Sequence, residues 1–218
     1  MNMKLLLMLG TLALGWAADS SAAPPVGRPA TNRPASAFPA HPQITDRFAD
    51  PGSGWPAAGY QGGNYVLGDG KQTAVAPAPD PVTPGRRGTL AEVQVWPPHG
   101  GGSAGLFCRG SAEARYALLV DDGGRVAVVR LAGRQSRVLK LVTLPPGERS
   151  HPGKPTLLRF ACGEGEGDRP VTLAFAVNAS PFAYVYDRPA LAPGGASRVG
   201  LVADGRARFD DFALWLAN

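Results

Sequence analysis

Tyr116-Ala-Leu-Leu-Val120, Asp121-Asp-Gly-Gly124 and Arg125-Val-Ala-Val-Val-Arg-Leu131 follow one another without interruption. Two short runs rich in Val and Leu flank a four-residue turn whose glycines supply the positive φ of a tight reversal, so the stretch predicts an antiparallel hairpin. The same grammar recurs outward from it. Val171, Leu173, Phe175 and Val177 alternate with Thr172, Ala174 and Ala176, giving one large apolar face and one small one, as a half-buried strand requires. Further strands are predicted around Tyr65 to Leu67, Thr89 to Val95, Arg137 to Thr143, Phe182 to Tyr186, Arg198 to Val202 and Arg206 to Leu216. Gly and Pro, 29 and 22 of 218 residues, punctuate them, and no long stretch has helical spacing. About ten or more strands in one domain imply two packed sheets and an all-β sandwich.

Phe209 and Phe212 lie three apart in the last predicted strand, so strict alternation would send them to opposite faces. A β-bulge at Asp210-Asp211 would turn both inward. Those two carboxylates are also the place where Ca²⁺, which takes clustered oxygen ligands, would be sought; solvated bulge residues are the simpler account. No other cofactor is expected.

The N-terminus has a different character. Lys4 precedes the apolar run Leu5 to Leu14, and small residues follow at Gly15, Ala17, Ala18 and Ser20 to Ala23. This is the pattern of a secretory signal peptide, placed at residues 1–22. Residues 23–42, built from Pro, Ala, Ser and Thr, read as an extended linker, and residues 43–218 as a single domain. No later segment approaches the roughly 18 apolar residues of a membrane span. A secreted or periplasmic protein is expected.

Gly105-Leu-Phe-Cys-Arg109, Arg115-Tyr-Ala-Leu-Leu-Val120, Asp122-Gly-Gly-Arg125, Leu157-Leu-Arg-Phe-Ala-Cys162, Arg198-Val-Gly-Leu-Val202 and Phe209-Asp-Asp-Phe212 occur in this order. The series resembles the concanavalin A-like, laminin-G-like jelly roll of exported bacterial proteins. Phe48-Ala-Asp-Pro-Gly-Ser-Gly-Trp-Pro56 resembles the opening of such a domain, where a polar turn precedes a Gly-Trp pair. The resemblance implies a two-sheet antiparallel sandwich. It leaves function among lectins, glycan-binding modules, sensor ectodomains and glycan-cleaving enzymes.

Cys108 shares a strand face with Leu106, and Cys162 with Phe160 and Leu158, so both sulfurs are expected to point into the core. As the chain's only two cysteines in an exported protein, they are expected to form a disulfide.

Catalytic signals are sparse. A glycan-cleaving jelly roll needs two carboxylates flanking the scissile bond, and no predicted strand carries Glu-x-Asp-x-x-Glu. Glu164, Glu166 and Asp168 alternate, but within a glycine-laced stretch that reads as a turn. His41, His99 and His151 lie in the linker or in Pro- and Gly-rich loops, and no Gly-x-Ser-x-Gly stands between strand and helix. No catalytic residue is assigned.

Charge and aromatic residues carry what functional signal there is. From Arg125 to Arg159 eight cations (Arg125, Arg130, Arg134, Arg137, Lys140, Arg149, Lys154 and Arg159) face Glu148 alone, in a chain of net charge +5. Such a stripe attracts anionic partners. Nucleic acid is disfavoured because no aromatic platform is interleaved with it. A pyranose ring stacks on Trp or Tyr; Trp96, Tyr184 and Tyr186 are the candidate contacts, with Arg130 and Arg137 as basic ones, whereas Trp55 and Trp215 are expected in the core. Three functions stay open: a non-catalytic domain binding a glycan or another surface polymer, a jelly-roll hydrolase or lyase, and a structural or protein-interaction module of the cell envelope.

Overall fold

The computed structural model describes residues 38–217 apart from 71, 80–87, 111–113, 134, 152, 164–169, 189–190 and 192–197. The expected signal peptide, most of the linker, Arg134 and the Glu164–Asp168 stretch lie outside the described residues. Among the described residues fourteen strands are present: β1 (Ile44–Asp46), β2 (Tyr60–Gln61), β3 (Asn64–Leu67), β4 (Thr73–Pro77), β5 (Gly88–Trp96), β6 (Ser103–Gly110), β7 (Ala114–Val120), β8 (Arg125–Ala132), β9 (Gln135–Thr143), β10 (Thr156–Gly163), β11 (Val171–Val177), β12 (Ala183–Asp187), β13 (Arg198–Asp204) and β14 (Ala207–Ala217). They form two antiparallel sheets. One runs β12-β11-β10-β5-β14-β3-β2, with β1 also on β14; the other runs β4-β13-β6-β7-β8-β9. This is the expected all-β sandwich. No described helix is long and apolar enough to cross a membrane.

Turn chemistry agrees with the sequence. In the β7–β8 hairpin Gly124, at φ 78°, donates its N–H to the Asp121 carbonyl at 3.0 Å, and the Asp121 carboxylate accepts from the Arg125 N–H at 2.8 Å. Asn178-Ala-Ser180 closes the turn after β11: Asn178 takes the left-handed region at φ 52° and the Ser180 N–H reaches the Val177 carbonyl at 3.0 Å. β1 and β4 escape sequence reading because they are short, and Thr73-Ala-Val-Ala-Pro77 has little bulk. Pro77 fits the end of an edge strand, where no ladder partner needs its N–H.

β14 is the spine of the larger sheet. It pairs with β5 along one side and with β3 and β1 on the other. Its register on β5 slips between Asp210, opposite Gln94, and Ala213, opposite Glu92, and Asp211 sits at φ 48°. The extra residue is the expected bulge, and both Phe209 and Phe212 are fully buried. The slip reverses the phase of the strand beyond it, so Leu214 points in and Trp215 points out and is half-buried. Trp215 is therefore not a core residue. Trp55 is, at 3% exposure, packed edge-on against Phe212 at 4.9 Å between ring centroids.

Cys108 and Cys162 are joined, linking β6 of one sheet to β10 of the other with Cα atoms 6.5 Å apart. Leu106, Leu118, Leu158, Phe160, Leu173 and Leu201 fill the space beside them. Two tyrosine hydroxyls are taken into this interior. That of Tyr65 donates to the Pro56 carbonyl at 3.1 Å; that of Tyr116 donates to Asp187 Oδ2 at 2.8 Å and accepts from the Leu191 N–H at 3.2 Å.

The core has two measurable consequences. The disulfide closes a loop of sequence separation 54, which in the chain-entropy account stabilises by about 4 kcal/mol. Calorimetry on the Cys108→Ala/Cys162→Ala double variant should show a folded protein whose Tm is lower by roughly 10 °C. Burial pushes both Tyr65 and Tyr116 up to about 12, with Tyr60 adding at the first and the Asp187 carboxylate at the second. The folded state keeps protons that the unfolded chain releases near pH 10, so this stabilisation is complete below about pH 10 and is lost as pH rises towards about 12. Urea midpoints should fall steeply across that window, and less steeply in Tyr116→Phe.

Candidate functional site

β9 and β12 are the edge strands of opposite sheets on one side of the sandwich, and an inward-pointing carboxylate ties them together. Val185 and Asp187 of β12 are both buried, Asp187 at 2% exposure. Besides Tyr116, Asp187 accepts from Arg130 Nη1 on β8 at 3.1 Å, and Arg137 Nη1 on β9 lies 3.9 Å from its other oxygen. A carboxylate removed from water this far must be hydrogen-bonded and charge-compensated. Arg130 and Arg137 therefore serve Asp187 at least in part, and Arg137 keeps most of its side chain in solvent, at 69% exposure.

Because Val185 and Asp187 point in, Tyr184 and Tyr186 point out. They are 40% and 66% exposed. Across the larger sheet Tyr184 stands opposite Ala174, which is opposite Ala161, then Leu90, then Trp215. The row has an aromatic side chain at each end with Ala174, Ala161 and Leu90 between, the two alanines being buried. Tyr186 stands opposite Thr172. In the neighbouring row Arg159 Nε donates to Glu92 Oε2 at 2.5 Å, both side chains about one-third exposed, at 32% and 28%. This face thus combines apolar ring surface with a hydroxyl and a charged pair that present donors and acceptors.

The structure brings four of the five sequence candidates to one side of the molecule, with the tyrosines outside β12 and the arginines inside it. Trp96 is apart. It shares the outer face of the larger sheet but lies at the far end of β5, and the Arg208 guanidinium sits 3.7 Å from its ring centroid, occupying the surface a sugar would need. Sequence reading placed Trp215 in the core and did not single out Thr172 or the Glu92–Arg159 pair. The signal for Trp215 was available in Phe212 and Leu214, whose spacing sets the phase after the bulge.

Other constellations are weaker. A groove of about 430 Å³ lies beside β3, lined by Pro56, Gln61, Tyr65, Gly68, Val75 and Arg206, with Arg206 Nη2 donating to Gln61 Oε1 at 3.0 Å. At the bulge, Asp211 accepts from Gln94 Nε2 at 2.8 Å and pairs with Arg47 at 3.5 Å, while burial raises the neighbouring Asp210 above the ordinary carboxylate range. Among the described residues no three His, Cys, Asp or Glu side chains gather as a metal site would require. His99 and His151 are exposed, and His151 bridges back to Lys154 in a tight loop.

No protein-family model matches the chain, and no curated protein sequence does. Solved structures do match. The carbohydrate recognition domain of Emp46p, in its potassium-bound form, aligns with TM-score 0.53 and 12% identity over 82% of this chain and 96% of that one. A mutant of the GH43 protein BlXynB from Bacillus licheniformis aligns with TM-score 0.52 and 16% identity, over 80% of this chain but only 39% of BlXynB. A bifunctional GH43-CE protein of Bacteroides eggerthii aligns with TM-score 0.50 and 12% identity, covering 74% of this chain and 23% of that protein. At such identities the likeness is one of fold alone, a two-sheet antiparallel β-sandwich.

Proposed function

We propose that this protein is an exported, non-catalytic glycan-binding domain, and that it binds through the outer face of the larger sheet at its β12 end. The observation that carries the reading is the exposed pair Tyr184 and Tyr186 on the outer face of β12. Tyrosine faces stack on the apolar side of a sugar ring, and Thr172, Glu92 and Arg159 stand within the same face for hydroxyl groups. The chain's net charge of +5 favours an acidic polysaccharide over a neutral one. The fold shared with the Emp46p carbohydrate recognition domain is in keeping with this, and a disulfide between buried cysteines suits an oxidising compartment.

One observation favours a second reading, a protein-interaction module: the exposed apolar pair Val138 and Leu141 on β9.

A glycan array spanning neutral and acidic polysaccharides tests the main proposal. Retention on at least one acidic glycan is expected, weakened about tenfold or more by Tyr184→Ala/Tyr186→Ala and little changed by Trp96→Ala. Retention on none of them would remove the reading.

A further inference from the structure

Four large apolar side chains are exposed among the described residues: Val138, Leu141, Tyr184 and Tyr186. All are on β9 and β12. The tyrosines belong to the face described above; the aliphatic pair does not. Val138 and Leu141 lie three apart, so a regular pleat would hide one of them. β9 instead slips register on β8, with Val138 opposite Val129 and Lys140 opposite Val128. The bulge at Leu139 turns Leu139 and Val142 against the core and both Val138 and Leu141 outward, 56% and 57% exposed. They continue apolar rows in which Val129, Ala117 and Phe107 are buried. Val138 stands opposite Val129, then Ala117, then Phe107; Leu141 opposite Ala127, then Leu119. Phe107, Ala117, Val129 and Val202 form a second apolar cluster on this outer side of the smaller sheet, joined by Val75, Leu119, Ala127 and Leu131.

β9 is also an edge. Nine residues long and free of proline, it pairs with β8 on one side and with no described strand on the other. Its backbone N–H and C=O groups on that side are the template on which another strand adds. From Arg125 to Thr143 the hairpin carries Arg125, Arg130, Arg134, Arg137 and Lys140 and no carboxylate. Asp187, from the other sheet, compensates Arg130 and Arg137.

We propose that β9 docks an extended polypeptide segment in which acidic and apolar residues alternate, adding it to the smaller sheet as a further strand. Apolar side chains of the segment would lie against Val138 and Leu141, and acidic ones against Arg137 and Lys140. A second copy of this chain fits less well. Two β9 strands side by side would set Arg137 and Lys140 against like charges, which is destabilising across a strand pair.

The test uses the purified chain with two capped octapeptides, one alternating valine and glutamate and one with the same residues grouped in two blocks. Fluorescence anisotropy should show saturable binding of the alternating peptide, about tenfold or more tighter than the grouped one. Hydrogen exchange should show new protection over Gln135–Thr143. Val138→Asp/Leu141→Asp changes only exposed side chains, so its Tm should stay near that of the parent while binding falls about tenfold or more; Lys140→Glu, unchanged in apolar surface, should also weaken it. Equal binding of the two peptides would show attraction by charge alone and overturn the proposal. So would absence of saturable binding, protection elsewhere, or protection of β9 that appears with protein concentration and no peptide, which would assign the edge to a second copy.

Discussion

Asp187 fixes the side of the molecule on which the proposed recognition surfaces lie. At 2% exposure, and held by Tyr116 and Arg130 from the opposite sheet, it ties the last strand of the larger sheet to the smaller one. A buried carboxylate stripped of these partners would cost several kcal/mol, so β12 has one tolerable phase. With Asp187 inward, period two makes Tyr184 and Tyr186 face water. The same carboxylate draws Arg137 of β9 towards β12. A structural ion pair thereby sets both the tyrosine face and the basic edge.

The rest of the scaffold holds that side in place. The Cys108–Cys162 bond crosses the core between central strands. The bulge at Asp211 lets one long strand bury Phe209 and Phe212 together and seat Trp55 against Phe212. A second bulge, at Leu139, does the reverse for solvent: it leaves two aliphatic side chains outside. The same irregularity serves the core in one strand and the surface in the other.

Much of the architecture was legible in the sequence because alternation and glycine turns are local signals. The β7–β8 hairpin, the alternation of β11, the cysteine register and the Phe209/Phe212 bulge could all be read from neighbouring residues. β1 and β4 were not, since runs of only three and five residues become strands through the partners they meet. The site was legible in its parts and not in its assembly. Tyr184 and Tyr186 stand out by spacing, yet nothing local says that Ala174, Ala161 and Trp215 line up with Tyr184, because that row is drawn from strands distant in sequence. Trp96 illustrates the converse: a tryptophan at a strand end looks available until the fold lays Arg208 over it.

The central claim is that the face carrying Tyr184 and Tyr186 is the glycan surface, and backbone amide NMR during titration with a retained acidic oligosaccharide tests it most directly. The account predicts shift changes at Thr172, Ala174, Tyr184 and Tyr186, reaching Arg159 and fading towards Trp96. Changes confined to the groove around Gln61, Gly68 and Arg206, or to the outer face of β6, β7 and β8, would contradict it.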